Sequence, residues 1–531
     1  MGKLGRRSGR ILGACLCLAA PAAKAETLAD AIELAYQSSP TLQSARAQLR
    51  ALDESYVQAH SGFRPTASVR IEPAYSETQA LNFFGQQAVT FTNSGSASVT
   101  VNQPLYTGGA TTWAVEAAGD DIRSQREALR ATEGQVLQQV VQAYVDVRRD
   151  QQILAVYQSE VGILQSQLDD AQARKAAGEV TRTDVEQSQT ELDSSRAALS
   201  LAQGQLQISR SEYFAVVGQN PGDLAPTPDL PDLPVTIDEA FDAAQADSPT
   251  LKEAEDAERA SSARISEARA EYKPSVELSA SYGYSGPLAP FALRSENRGL
   301  SIGAVVQIPI LTGGVADSQV RKAVDLNSSD RINIEGARRA VVQAVSNAWN
   351  EALANRASAQ SDEHAVAAAR QYFSDTEEEY RVGQRSTLDV LIAEQTLRSA
   401  EISAAQAEHD AYLAQAALLN AIGRLEAVNL VKDIPAYDPA AAFRKVRLKG
   451  ATPWEEAIED LDEIGAPGAD HQRPLTAPAV LPSPASLTGP QLPPDAAPAT
   501  AIPTQPLPGT TSPATPPGLG VARGAPYTPS R

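Results

Sequence analysis

The spacing of hydrophobic positions changes several times along the chain, and each spacing predicts one kind of element. Ala-rich, charged stretches over Leu28–Gly62 and Ile237–Tyr272 place apolar residues three and four positions apart, which predicts one opening helix in each. The stretches over 66–105 and 275–309 alternate apolar residues with small or polar ones. This period of two predicts a strand pair in each stretch.

Two long proline-free stretches follow the strand pairs. They run from about Thr111 to Ala177 and from about Val315 to Val382, and each predicts a helix of roughly 100 Å. A shorter helix is predicted to return after each one. The first returning helix has apolar residues at every seventh position: Val185, Leu192, Leu199, Leu206 and Tyr213. This heptad predicts left-handed supercoiling, with each long helix packed beside two shorter helices stacked end to end.

The chain carries an internal duplication. Ser39-Pro40-Thr41-Leu42 recurs as Ser248-Pro249-Thr250-Leu251, 209 positions later. Thr107-Gly108-Gly109 recurs as Thr312-Gly313-Gly314, 205 positions later. Matches in so consistent a frame indicate a tandem repeat in which the second copy has one loop four residues shorter.

The duplication divides the chain into segments. The first structural repeat is predicted over 26–220 and the second over 236–425, with a linker at 221–235. The segment 426–465 keeps some hydrophobic content. The region 466–531 contains 17 of the 35 prolines of the chain, a composition that cannot bury a core. We therefore expect a disordered tail there, either inert or acting as a tether.

The first 25 residues have the features of a signal peptide. Three arginines precede a short apolar run, and Ala23-Lys24-Ala25 is a cleavage site of the A-x-A type, so the mature chain is expected to begin at Glu26. A lipoprotein interpretation, with Cys15 as the lipidated residue, is the alternative. Because Cys15 and Cys17 are the only cysteines, the mature chain is predicted to have neither a disulfide nor a thiol ligand.

The charge and the motifs of the chain disfavour two classes of protein. With 45 basic and 65 acidic residues, the net charge is −20, which is unfavourable for a nucleic-acid binder. The sequence has no H-E-x-x-H, G-x-S-x-G or phosphate-binding Gly-rich motif, and its four histidines are scattered. We therefore expect no enzymatic activity, no cofactor and no metal site.

Four predicted strands per chain need an explanation. In lipid every backbone polar group must be paired, so four strands cannot form an open sheet there. Two chains would supply eight strands, and three would supply twelve, enough for an aqueous lumen. The alternative is a soluble β-domain within a coiled-coil protein. The fold class predicted is thus a mixture of an all-α coiled-coil part and a β part, here a transmembrane β-barrel.

Two segments resemble a known family. The sequence at 380–391, Tyr-Arg-Val-Gly-Gln-Arg-Ser-Thr-Leu-Asp-Val-Leu, resembles the periplasmic tip motif of the TolC-like outer-membrane efflux and type I secretion channels. The sequence at 177–185 resembles the first-repeat version of that motif. The likeness covers roughly 27–425, in the same duplicated order of elements.

The resemblance implies an assembly and a role. The family forms homotrimers with a 12-stranded barrel in outer-membrane lipid and a 12-helix tunnel through the periplasm, and the segment 426–465 would be a belt around it. A periplasmic adaptor protein connects the tunnel to an inner-membrane pump, either of the RND type or an ABC transporter. The chain would be the passive exit duct of a tripartite efflux pump or a type I secretion system, opened at its helical tip. The alternative is a periplasmic coiled-coil adaptor or scaffold without a pore.

The tip residues also have a local interpretation. Gly178 and Gly383 suit the left-handed turn that ends a helix. The Thr181-x-x-Asp184 and Ser386-x-x-Asp389 patterns fit capping boxes with Asp in place of Glu. Both aspartates are thus expected to cap helices.

The resemblance adds a gate at these turns. It implies a latch in which Asp184, with Thr183 adjacent, is held by Tyr380 and Arg385. In a trimer, three copies of Asp389 would form an acidic ring that attracts cations. A second aspartate ring of the family would lie at the position of Ile392, so either an apolar ring gates there by dewetting or the constriction is looser. The sequence does not distinguish protein cargo from small molecules.

Overall fold

A computed structural model describes residues 25–81, 83–287, 297–432 and 434–466. The predicted signal peptide, Cys15 and the Pro-rich tail lie outside these residues, apart from positions 25 and 466. No helix within the described ranges is both long enough and apolar enough to cross a membrane.

The order of elements occurs twice along the chain. The first repeat comprises α1 (Leu28–Ser38), α2 (Pro40–His60), β1 (Thr66–Leu81), β2 (Gln87–Tyr106), α3 (Ala110–Ala177) and α4 (Arg182–Val217). The second comprises α5 (Ile237–Asp247), α6 (Pro249–Ala270), β3 (Ser275–Pro287), β4 (Asn297–Gln307), α7 (Val315–Arg381) and α8 (Thr387–Ala421). Three short helices follow: α9 (Ala427–Leu430), α10 (Pro439–Val446) and α11 (Glu455–Glu463).

The single opening helix expected in each repeat is wrong, because each is two helices. The breaks fall at Ser39 and Ser248, whose ψ angles of 122° and 118° are extended. The following prolines, Pro40 and Pro249, disfavour helical backbone in the preceding residue and lack an N–H for the helical ladder. Each proline therefore opens a new helix at its first position.

The four strands form one antiparallel sheet in the order β1-β2-β3-β4, so β1 and β4 are its edges in the described chain. The register brings together one apolar row across all four strands: Val69, Val99, Tyr282 and Leu300. The neighbouring row is entirely polar: Ser68, Thr100, Ser281 and Ser301. Because adjacent positions point to opposite faces, the sheet has an apolar face and a polar face.

The helices next to the sheet follow the order of the strands. α2 leads into β1, α3 leaves β2, α6 leads into β3 and α7 leaves β4. α2 packs on α3, α3 on α6, and α6 on α7, which places α2 and α7 at the two ends of this row. Further along, α3 pairs with α4 and α7 pairs with α8, and α3 also packs on α8.

Small residues complete the core face of α4. The heptad residues Leu192, Leu206 and Tyr213 are buried. A second row, three positions after each heptad residue, is also buried: Ser188, Ser195, Ala202 and Ser209. The resulting three-four spacing gives α4 a continuous seam against α3, of which half is made of small side chains.

The two long helices differ in burial. α3 has 68 residues and buries 20 of them, whereas α7 has 67 residues and buries 7. The largest core cluster collects side chains of both repeats around α3, including Tyr144, Tyr213 and Leu419. In the single chain α3 is thus the central helix, and one side of α7 has no covering element among the described residues.

The last short helices attach to the first repeat. α10 packs on α2, and α11 packs on α3 and β2. The Arg64 guanidinium donates to Glu455 of α11 at 2.9 Å. The Asp462 carboxylate accepts from the backbone N–H groups of Thr107 at 2.6 Å and Gly109 at 3.1 Å. The start of α3 is therefore capped by a side chain from the far end of the described chain.

Candidate functional site

The turn between α3 and α4 is built by a glycine and a capping box. Gly178 has a φ of 81°, in the left-handed region that glycine adopts without strain, and its N–H bonds to the carbonyl of Lys175. The Asp184 carboxylate accepts from the N–H and the hydroxyl of Thr181, each at 2.8 Å. The Thr181 hydroxyl accepts from the N–H of Asp184 at 3.3 Å. The capping interpretation of Asp184 is confirmed.

The turn between α7 and α8 repeats this construction. Gly383 has a φ of 81°. The Asp389 carboxylate accepts from the N–H of Ser386 at 2.9 Å and from its hydroxyl at 2.8 Å. These bonds favour the ionised carboxylate and hold the pKa of Asp389 below its ordinary value, with the nearby Arg385 contributing. Asp389 therefore caps α8 as a charged group.

The predicted latch residues have other partners within the chain. Arg385 donates to Glu379 at 2.7 Å, and this bond raises the pKa of the guanidinium. Thr183 is exposed on the first turn of α4. No hydrogen bond or ion pair within the described ranges joins Asp184 to Tyr380 or Arg385. The single chain thus brings the two turns near each other without closing the predicted contact.

Tyr380 instead contacts the last turns of α3. The Arg174 guanidinium lies over the Tyr380 ring at 4.5 Å, and the Tyr380 hydroxyl donates to Asp170 at 3.5 Å. Arg174 and Asp170 form an ion pair one helical turn apart. Sequence reasoning missed this pair and Glu379. The spacing of four between Asp170 and Arg174 was the available signal, but it does not identify a partner on another helix.

Asp389 and Ile392 lie three residues apart on α8 and therefore on one face of the helix. Ile392 is 45% exposed in the single chain. The arrangement can present a carboxylate and, one turn further along, an apolar side chain to the same space. No cluster of three or more His, Cys, Asp or Glu side chains that could hold a metal ion occurs among the residues that the structure describes.

The described chain is a duplicated helical hairpin with a four-stranded sheet at one end and capped turns at the other, which is the fold of the TolC-like outer-membrane channels. The family model described as Outer membrane efflux protein matches residues 31–219 and 240–424, and the chain belongs to this family. It is therefore an outer-membrane channel of efflux and secretion that extends into the periplasm, in a family of transport channels.

Individual relatives are similar to this chain over most of their own length. The chain is 33% identical to the outer membrane efflux protein BepC of Brucella suis biovar 1 (strain 1330), covering 81% of this chain and 93% of that protein. It is 24% identical to the outer membrane protein TolC of Escherichia coli (strain K12), covering 82% and 90%. The crystal structure of VceC from Vibrio cholerae has the same fold, with a TM-score of 0.63, 21% identity, and 75% and 96% covered.

Proposed function

We propose that three copies of this chain form a 12-stranded barrel in the outer membrane and a 12-helix tunnel, and that this trimer is the passive exit duct of a pump. The segment 426–465 would be a belt on the outside of the tunnel. A periplasmic adaptor protein would join the duct to an inner-membrane pump, of the RND or the ABC type, and open the tip. The trimer is the part of this assembly that the edges of the sheet and the ends of the helix row favour.

The observation that carries this proposal is that the sheet and the row of helices end on the same two sides of the described chain. β1 and β4 are the sheet edges, and α2 and α7 are the ends of the helix row. A copy that pairs its β1 with β4 of its neighbour also sets its α2 beside the poorly buried α7 of that neighbour. Three copies give twelve strands, enough for a lumen that side chains do not fill.

The two faces of the sheet match this arrangement. Apolar side chains of the edge strands are strongly exposed in the single chain, with Val69 at 69% and Leu300 at 69%. Lipid would cover this face, and the row of serines and threonines would line the lumen. A soluble β-domain would leave the apolar row in water.

The mass and the conductance of the purified protein test the duct. We expect the mature chain in detergent to be a trimer that gives small, cation-selective currents in a planar bilayer. A protein that stays soluble without detergent and gives no currents would contradict the duct and support the pore-free adaptor or scaffold.

The acidic ring is tested with a matched pair of variants. Asp389→Asn should lower cation selectivity and weaken block by multivalent cations, because it removes three charges from the axis. Asp438→Asn is the control, because Asp438 also caps a helix, α10, but lies in the proposed outer belt. Equal selectivity in Asp389→Asn and the native protein would place Asp389 outside the pore.

We also propose that the latch joins neighbouring chains. Within one chain Arg385 is bound to Glu379, and Asp184 is bound to its own cap, yet the Arg385 side chain is 45% exposed. Asp184→Asn and Arg385→Ala should each raise conductance, and the double variant should add little. Glu379→Gln removes only the intrachain pair and should leave conductance low. If Glu379→Gln raises conductance as much as Arg385→Ala, the intrachain pair closes the tip instead.

A further inference from the structure

α8 runs antiparallel to α3 along a seam that joins the two helical hairpins of the chain. The α3–α4 hairpin lies on one side of this seam and the α7–α8 hairpin on the other. Facing pairs along the seam, from the sheet side toward the tip, are Gln138 with Asn420, Asp146 with His409, Glu160 with Arg398, and Leu164 with Leu391. Two of these pairs contain buried titratable groups.

The first titratable cluster lies near the tip. Glu160 of α3 and Glu394 of α8 are almost fully buried, at 2% and 3% exposure. Arg398 donates to Glu160, and one carboxylate oxygen of each glutamate has no hydrogen-bond partner in the part of the chain that the structure describes. The guanidinium is paired with Glu160, and Glu394 is buried close enough to both groups to feel their charges, an arrangement that favours a proton on one of the two carboxyls.

The surrounding charges strengthen that preference. Glu191 of α4 lies 4.0 Å from Arg398, and Glu401 of α8 is paired with Arg370 of α7 at 2.9 Å. Burial is the main cause that raises the pKa of Glu394, to about 8, and repulsion from Glu160 adds to it. Burial also raises the pKa of Glu160.

The second cluster surrounds His409, which is 8% exposed. Its Nε2 lies 2.9 Å from Asp146 of α3, and its Nδ1 lies 2.8 Å from Asp410 of α8. A neutral imidazole has one N–H, so only the protonated ring can donate to both carboxylates. Burial and the nearby Arg149 oppose the charge, but the two hydrogen bonds outweigh them and raise the pKa of His409. The other charged groups around the ring are Arg148, Asp150 and Glu408.

We propose that the α3–α8 seam is a proton-sensitive clamp that holds the two hairpins together more tightly at acidic than at alkaline pH. Both clusters act in the same direction, although they differ in chemistry. The clamp goes beyond the exit-duct function and does not depend on ion flow. Its consequence, that alkaline pH favours separation of the hairpins near the tip, rests on the proposed duct.

The sign follows from the protonated states. Above the ordinary histidine range, His409 loses the proton that bonds its second carboxylate. Toward pH 8 and above, Glu394 loses its proton, and its charge is then repelled by that of Glu160 within the buried seam. Each group binds its proton more tightly in the closed seam than in water, so closure weakens as the pH rises. If opening fully hydrates Glu394, the ratio of open to closed seam rises up to about a hundredfold between pH 6 and 9.

Distances between spin labels on the two hairpins test the clamp. Gln187 of α4 and Gln384 of the α7–α8 turn are replaced by cysteine in the full mature chain. The two natural cysteines of the sequence lie in the predicted signal peptide, which the mature chain is expected to lack. Labelled chains are mixed with excess unlabelled protein, so that each measured distance comes from one chain. We expect a population with longer distances to grow from pH 6 to pH 9.

Three further variants separate the clamp from general pH effects. Glu394→Gln, which mimics the protonated acid, should reduce the growth of the long-distance population at least severalfold, and Glu160→Gln is a second route to the same result. Glu253→Gln is the control, because Glu253 on α6 is partly buried with a raised pKa but lies away from the seam. It should respond like the native chain.

Two results would overturn the clamp: a native distance distribution that does not change with pH, or a pH response that both seam variants retain in full. A pH response in a protein without currents would support the clamp while contradicting the duct. Currents together with a constant distance distribution would do the reverse.

Discussion

Asp462 gives the sharpest test of how the C-terminal helices are attached. Its side chain is fully buried and accepts from three backbone N–H groups at the start of α3, those of Thr107, Gly109 and, at 3.4 Å, Thr112. It also accepts from the hydroxyls of Thr107 and Thr112, at 2.9 Å and 3.0 Å. Asp462→Ala removes the acceptor for all of these donors at once.

The expected loss follows from what remains unpaired. Once Asp462 is removed, the Thr107 hydroxyl can donate to the Thr111 hydroxyl, which lies 3.1 Å away. The three backbone N–H groups lose their charged acceptor, of which the bond from Thr112 is the longest, and a hydrogen bond to a charged acceptor contributes about 1.5–3 kcal/mol. The positive end of α3 adds up to about 2 kcal/mol. We expect a loss of about 3–5 kcal/mol for Asp462→Ala and about half of that for Asp462→Asn, which keeps one acceptor oxygen.

Hydrogen exchange of the peptide that covers Glu455–Glu463 measures this loss locally. A loss of about 3 kcal/mol raises the population of the detached helix, and hence the exchange rate, by about two orders of magnitude. Asp438→Asn is the control within the same segment, because its carboxylate is exposed and caps only α10. The reasoning is refuted if Asp462→Ala leaves exchange in α11 unchanged, or changes it no more than the control does.

Two further predictions concern a turn and the seam. Gly423→Ala should lower the thermal midpoint much more than Gly383→Ala. Both glycines have a φ near 80°, but a methyl group at Gly423 would lie 2.6 Å from the backbone oxygen of Asp247, whereas the space at Gly383 is open; equal midpoints would contradict this. Arg398→Ala should cost about 3–5 kcal/mol, because it leaves buried Glu160 without a cation, and the loss should be larger at pH 8.5 than at pH 6. Thermal unfolding at both pH values measures it, and a loss that is independent of pH would argue against charge repulsion as the cause.

The sequence pattern predicted those features that depend on neighbours in the chain. The alternation around Val69 and Leu300 placed four strands, and the spacing of Thr181 and Asp184 identified a cap. The Ser-Pro pairs at 39–40 and 248–249 marked the frame of the duplication. That each pair also breaks the opening helix into two helices was missed. A hydrophobic scan also missed half of the α4 seam, because Ser195 and its equivalents are small rather than apolar.

The contacts that the sequence could not predict join distant segments. Asp462 lies 355 residues from Thr107, and α11 has no counterpart in the first repeat to indicate its target. Glu160 and Glu394 are buried although they lie outside the apolar spacing that marks the core positions of α3 and α8. Their burial depends on the packing of α3 against α8, which no local periodicity specifies.

The carboxylates that cap the turns therefore need a different experiment from the buried carboxylates Glu160 and Glu394. Asp184 and Asp389 are partly exposed and serve as caps within three residues, so their substitution changes the local turn as well as any contact with another chain. Asn in place of Asp184 keeps an acceptor for Thr181, whereas Thr181→Ala removes the cap and leaves the carboxylate. If both variants raise conductance equally, the cap alone explains the effect. If only Asp184→Asn does so, the charge acts outside its own turn, as the interchain latch requires.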